Sequence, residues 1–158
     1  LKNRNFDLVV EKSVEVGVSV IVPVISERTV PEIGGKEEKK VERWRAIAEA
    51  AAKQSLRPSV PHVEPPVTFR EFVSRGHSGL LVCAHPSSEG MTLRSAASAF
   101  EGTDAVILVG PEGGFSPAEI ALAGSNGFKN VNIGETQMRA ETAGIVLPAL
   151  VIYELMMK

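Results

Sequence analysis

A single cysteine, Cys83, stands in the chain of 158 residues, so neither a disulfide framework nor a cysteine-built zinc site can be assembled. It lies in the apolar run LLVCA, the setting of a buried thiol in a reducing compartment. An excess of one charge is also missing. Seventeen Lys and Arg stand against nineteen Asp and Glu, for a formal net charge of -2, which excludes a global pull towards nucleic acid or acidic lipid and leaves only a local basic patch for that role. Long apolar runs are absent too: the longest late uncharged segment, Ala143 to Tyr153, is too short to span a bilayer and contains Pro148. No signal peptide opens the chain, so cytoplasm is the expected location. The start at Leu1, without methionine and directly followed by polar residues, suggests a piece of a longer protein. No His/Cys/Asp cluster has ligand spacing, and no metal is expected. Two nucleotide-binding signatures, GxGxxG and the Gly-Lys-Ser/Thr of a P-loop, are missing as well.

What is present fits one ordinary globular domain with a sizeable core. Hydrophobic residues make up 44% and charged residues 23% of the chain. Phe6 to Val16 has helical spacing and ends at Gly17, a C′ glycine, and Ser19 to Ile25 (SVIVPVI) reads as a buried strand. A long helix is expected over Lys36 to Ser55, with Val41, Trp44, Ala48, Ala51 and Ala52 on its apolar face. The Pro-rich connector RPSVPHVEPP then reads as a surface crossing, not a domain boundary, because the βα alternation continues on both sides of it. A short helix at Thr68 to Arg75, a strand at Gly79 to Ala84, a helix at Thr92 to Phe100, strands at Ala105 to Val109 and Asn130 to Ile133, and a final helix from about Glu141 complete the pattern. The expected fold is α/β: an open, mostly parallel sheet flanked by helices.

Two features ask for more than a fold. The stretch LVGPEGGFSPAEI, Leu108 to Ile120, places three glycines and a carboxylate between a buried strand and a helix start, with Ser116, Pro117 and Glu119 at N-cap, N1 and N3. In open α/β sheets ligands bind beyond the carboxyl ends of strands, where glycine lets bare backbone approach them; a tight turn without a ligand is the plain alternative. The last helix carries Ile145, Val146, Leu147, Leu150, Val151, Ile152, Tyr153 and Leu155 around almost its whole circumference. One sheet face cannot cover them, so a second burying surface is expected, and a homodimer is favoured over a central position in a larger fold.

GPEGGFS, followed in order and at the right distance by MRAETA within IGETQMRAETAG, resembles the ribosomal RNA uridine-N3 methyltransferase family (RsmE type) of the SPOUT superfamily. ISERTV at Ile25 to Val30, ERWRAIAEAAAKQS, VPHVEPP and the His85-Pro86 pair support the resemblance, which covers nearly the whole chain. The family's usual arginine and hydrophobic residue in the second loop are replaced here by Thr136 and Gln137. The resemblance implies one SPOUT domain over residues 1–158 with a C-terminal deep trefoil knot, and a homodimer formed by helices beside the knot. The resemblance also implies a PUA-like RNA-binding barrel at the N-terminus of family members, which this chain is expected to lack. It further implies S-adenosylmethionine held mainly by backbone. Its site would be Leu108, Val109, Gly110, Pro111, Glu112, Gly113 and Gly114 in one loop, with Ile133, Gly134, Gln137, Met138, Arg139, Ala140 and Thr142 in the other.

Methylation of uridine N3 requires loss of the imide proton, orientation of two reactants and stabilisation of enolate-like oxygens. Arg139 is the candidate cation and Glu141 or Glu112 the candidate proton acceptor; alternatively Glu141 and Thr142 cap the last helix and Glu112 is a solvated turn residue. Arg28 and Arg139 are the candidate contacts to small-subunit ribosomal RNA. Lys36 to Arg45 is either an added basic patch or a solvated helix face, and Ser26 and Glu27 would shape the same surface. His85 is read as structural before catalytic, and His62 and His77 are assigned nothing. The rival to an enzyme is a non-catalytic dimeric module of the same fold that binds an adenine nucleotide or RNA.

Overall fold

A computed structural model of the protein describes residues 3–29, 37–84, 90–132, 134 and 136–156. The chain runs α1 (Asn3–Val16), β1 (Val20–Ile21), β2 (Val24–Ile25), α2 (Glu37–Gln54), β3 (His62–Val63), β4 (Val67–Thr68), α3 (Phe69–Val73) and β5 (Leu80–Ala84). It continues through β6 (Met91–Thr92), α4 (Leu93–Ser98), β7 (Ala105–Val109), α5 (Pro117–Ser125), β8 (Lys129–Asn132) and α6 (Ala140–Met156). Every strand pair among the described residues is parallel.

The expected strand over Ser19 to Ile25 is broken at Pro23 into β1 and β2. β1 pairs with β3, inside the Pro-rich connector, and β2 with β4, directly after it at the start of the expected short helix. The connector is therefore part of the framework, not a surface crossing, and the single expected sheet is three parallel sheets, the largest ordered β6-β8-β5-β7. Pro61, Pro65 and Pro66 flank these two-residue strands and mask them as sequence signals, because proline removes a ladder donor.

β5 is central in the large sheet and explains its apolar run. Leu81 and Cys83 face one side, packed with Phe69, Phe72, Leu108, Phe115 and Phe128 beneath α3 and α5. Leu80 and Val82 face the other, with Ala96, Val131, Leu147 and Val151 beneath α4 and α6. A strand covered on both faces needs apolar residues without alternation.

A third cluster joins α1, α2 and the first ladder. Val10, Val14, Ile21, Trp44, Ala48 and Val63 are buried in it, and the rings of Phe6 and Trp44 meet at 4.6 Å. The five residues expected on the apolar face of α2 are its five buried ones.

The second surface over α6 turns out to be α1 of the same chain. A Cβ at Gly144 would stand 3.1 Å from Val9 Cγ1, and Ser13 Oγ donates to the Gly144 carbonyl at 3.3 Å. Gly144 thus lets the two helices approach closely. α6 begins at Ala140 and carries Pro148, which is buried, in its interior.

Candidate functional site

The chain crosses from β7 on one side of β5 to β8 on the other. Ala84 is level with Val109 of β7 and also with Val131 of β8. The loops after β7 and β8 therefore leave the same edge of the sheet at the same height, two strand spacings or about 10 Å apart. A crevice at the carboxyl ends of parallel strands, where the chain changes direction across the sheet, is where open α/β domains bind ligands.

The first loop is a tight turn in which Gly114 N–H donates to the Pro111 carbonyl at 2.8 Å. Gly114 has φ +68, a left-handed conformation that favours glycine. Gly110 and Gly113 lie at ordinary contact distance from their neighbours. A Cβ on Gly110 would lie 3.4 Å from Gly114 Cα and the Phe115 ring, and one on Gly113 would lie 3.4 Å from the stem of Arg28. Of the other candidates here, Leu108 is buried in the core and offers a ligand only its main chain. Val109 and Pro111 are half-buried and Glu112 is exposed.

In the second loop Gly134 N–H donates to Asn132 Oδ1 at 3.0 Å. Gly134, Gln137 and Arg139 are exposed, Met138 is half-buried, and Ala140 is buried at the start of α6. Glu141 is half-buried in the first turn of α6, where a carboxylate favours the positive end of the helix, and Thr142 is exposed. Ile133 and His85 lie outside the described residues, as do Lys36, Val30 and Pro86.

A third segment, read from the sequence as an RNA-facing surface around Arg28 and not as a neighbour of the donor loop, closes against the first loop. Ser26 to Thr29 forms a turn, with Thr29 N–H on the Ser26 carbonyl and Ser26 N–H on Thr29 Oγ1, both at 3.0 Å. Arg28 Nη1 donates to the Gly113 carbonyl at 2.7 Å, and Glu27 N–H donates to Glu119 Oε1 at 2.9 Å. Glu119 also accepts from Ser116 N–H at 2.9 Å through Oε2, while its own N–H donates to Ser116 Oγ at 3.2 Å. The expected capping box is formed, and its glutamate has a second task 92 residues away in sequence. No local sequence signal could have announced that contact. Burial, and next the charge of Glu119, push the Cys83 thiol up to about 12.

Of the basic residues on α2, Arg43 pairs with Asp7 and Arg45 Nε donates to the Val63 carbonyl. His77 bonds the Phe72 carbonyl at 2.7 Å and stacks on its ring, a structural role. Among the described residues no group of three His, Cys, Asp or Glu could hold a metal, and no helix is long and apolar enough to cross a membrane.

Parallel strands covered by helices, with two glycine loops rising on either side of a central strand, define a parallel α/β domain. The family model for the RNA methyltransferase domain matches residues 1–152. The chain belongs to that family. The ribosomal RNA small subunit methyltransferase E of Mesomycoplasma hyopneumoniae is 30% identical over 93% of this chain and 63% of its own length. The protein of the same name from Synechocystis sp. is 33% identical over 92% of this chain and 48% of its own. The crystal structure of the Neisseria gonorrhoeae ribosomal RNA small subunit methyltransferase E bound to S-adenosyl methionine is 33% identical and superposes with a TM-score of 0.84, covering 93% of this chain and 60% of that one. The chain thus spans about half to under two thirds of the length of these relatives.

Proposed function

We propose that this chain is the catalytic domain of an S-adenosylmethionine-dependent methyltransferase acting on N3 of a uridine in small-subunit ribosomal RNA, in the cytoplasm. The observation that carries the proposal is the pair of glycine loops level with Ala84 on the two sides of β5, in a chain whose relative carries S-adenosyl methionine. We read residues 1–158 as a single SPOUT domain in which the segment around 134–156 threads to form a trefoil knot, and the working unit as a homodimer.

The residues present fit the cofactor. A Cβ built on Gly114 or Gly134 meets nothing within 4 Å, so both loops leave bare main chain beside open space where a neutral adenosine could lie. S-adenosylmethionine, when bound, supplies an electrophilic methyl group on a sulfonium cation. The main chain of Leu108 to Gly114 and of Gly134 to Ala140 would hold and orient it, with Ile133 and Thr142 at the margin of the second loop. Arg139, exposed beside the start of α6, would stabilise negative charge developing on the uracil oxygens, and Glu141 or Glu112 would take the N3 proton. Arg28 and Arg139 would meet the RNA.

Titration calorimetry with S-adenosylmethionine, S-adenosylhomocysteine and NAD tests the cofactor reading: the first two bind and NAD does not. Gly113→Val, which sets a branched side chain against the stem of Arg28 where bare main chain should face the ligand, abolishes that binding. Arg139→Ala in the full-length protein keeps donor affinity and loses on the order of a hundredfold in methyl transfer to undermethylated small subunits. Full transfer by Arg139→Ala removes that residue from the mechanism.

A further inference from the structure

We propose that Glu119 and Arg28 are positioning residues that fasten the 26–29 turn across the 110–114 loop and so hold that loop in its ligand-ready form before any ligand arrives. The inference rests on the reading of 110–114 as part of the donor site.

Glu119 is only 6% exposed, in the first turn of α5. A buried carboxylate is retained at low cost only where hydrogen bonds compensate its lost hydration. Here two backbone amides do so, one on each oxygen: Glu27 N–H at 2.9 Å and Ser116 N–H at 2.9 Å. One amide belongs to the turn after β2 and the other to Ser116, the helix cap two residues past the glycine loop, so the carboxylate joins the turn to the segment that carries the loop into α5. Arg28 closes the second side of the same connection. Its guanidinium donates to the Gly113 carbonyl at 2.7 Å, and its stem lies where a Gly113 Cβ would come within 3.4 Å of it. The turn that carries both anchors is itself braced by the bonds between Ser26 and Thr29, including their hydroxyl contact at 2.8 Å. Both anchors act through one short turn, so loosening either weakens the grip of the other on the loop. This assigns Arg28 a task separate from RNA contact, and Glu119 one separate from helix capping.

Glu119→Gln keeps size and one acceptor but sets an amide N–H₂ against one of two backbone N–H donors, leaving that donor unpaired. Arg28→Met keeps the stem against Gly113 and removes the donor; Arg28→Lys keeps a charge and one donor. Hydrogen exchange of the chain without any ligand is the first readout. Amides of 26–29 and 110–116 should exchange at least tenfold faster in Glu119→Gln and Arg28→Met, with exchange in β5 and α6 unchanged, and Arg28→Lys should restore part of the protection. Donor affinity in the absence of RNA is the second: it should weaken about tenfold in both variants, and the double variant should be no worse than about the larger single effect, because both anchors hold one turn. Unchanged exchange in a folded Arg28→Met protein overturns the proposal, as does full additivity of the two donor-affinity losses. If Glu119→Gln does not fold, the two Arg28 variants still decide it. Failure of the parent chain to bind S-adenosylmethionine would sink the cofactor reading alone, since the exchange readout needs no donor. A rise confined to the Michaelis constant for RNA in Arg28→Met, with donor affinity intact, would return Arg28 to a purely RNA-binding role.

Discussion

Cys83 shows how one buried group records its surroundings. Packed under α5 near Glu119, its thiol is pushed up to about 12 from an ordinary value of 9.0, first by burial and then by that negative charge. A thiol held protonated is a poor nucleophile. We expect a disulfide reagent at pH 8 to leave the native protein untouched and to react with one thiol per chain once urea unfolds it. The sign of the linkage follows: the folded state favours the neutral thiol, so its contribution to stability is complete below about pH 9 and is lost as pH rises towards 12. Cys83→Ala should flatten the fall in stability across that window in urea titrations, and an unchanged alkaline limb would contradict the assignment.

Between elements, the crossing of α1 and α6 depends on one missing side chain. Val9 Cγ1 and Cγ2 would lie 3.1 and 3.3 Å from a Cβ at Gly144, and Val9 is β-branched, so its methyls have little freedom to turn away in a helix. Gly144→Val should destabilise the protein by about 2 kcal/mol, the usual range for overpacking. Combining it with Val9→Ala should recover part of the loss, measured as a double-mutant cycle of urea midpoints. Simple additivity would place the cost elsewhere than in this contact. α6 itself is apolar nearly all round because it is wedged between α1 on one side and α4 with the large sheet on the other.

At the scale of the whole molecule, α1 does not cover α6 completely. Leu150, Tyr153 and Met156 remain 38%, 56% and 78% exposed, a residual apolar surface that supports the proposed homodimer. Sedimentation at low micromolar concentration should give twice the chain mass, and Tyr153→Glu should shift the species to monomer without moving the urea midpoint of the monomer's own fold. A parent chain that sediments as a clean monomer would remove the dimer from the account.

Much was legible in the sequence because it was written locally. The buried face of α2, the unalternating run of β5, the cap of α5 by Ser116 and Glu119, and the two glycine loops with their family resemblance all follow from neighbours within a few residues. Periodicity and capping act at that range. Tertiary structure alone decided the rest. Parallel pairing of two-residue strands among prolines carries almost no periodic signal. The close crossing at Gly144 depends on Val9. Gly79 at φ +97, where a Cβ would stand 2.5 Å from the Asp104 carbonyl oxygen, owes its identity to a strand neighbour 25 residues on. The contacts Glu119 to Glu27 and Arg28 to Gly113 span 92 and 85 residues. The sequence determined the long helices, the longer strands and the two glycine loops. Which buried amide a carboxylate would meet was settled only when the fold brought remote backbone together, because a hydrogen bond is a matter of distance and direction that no local pattern encodes.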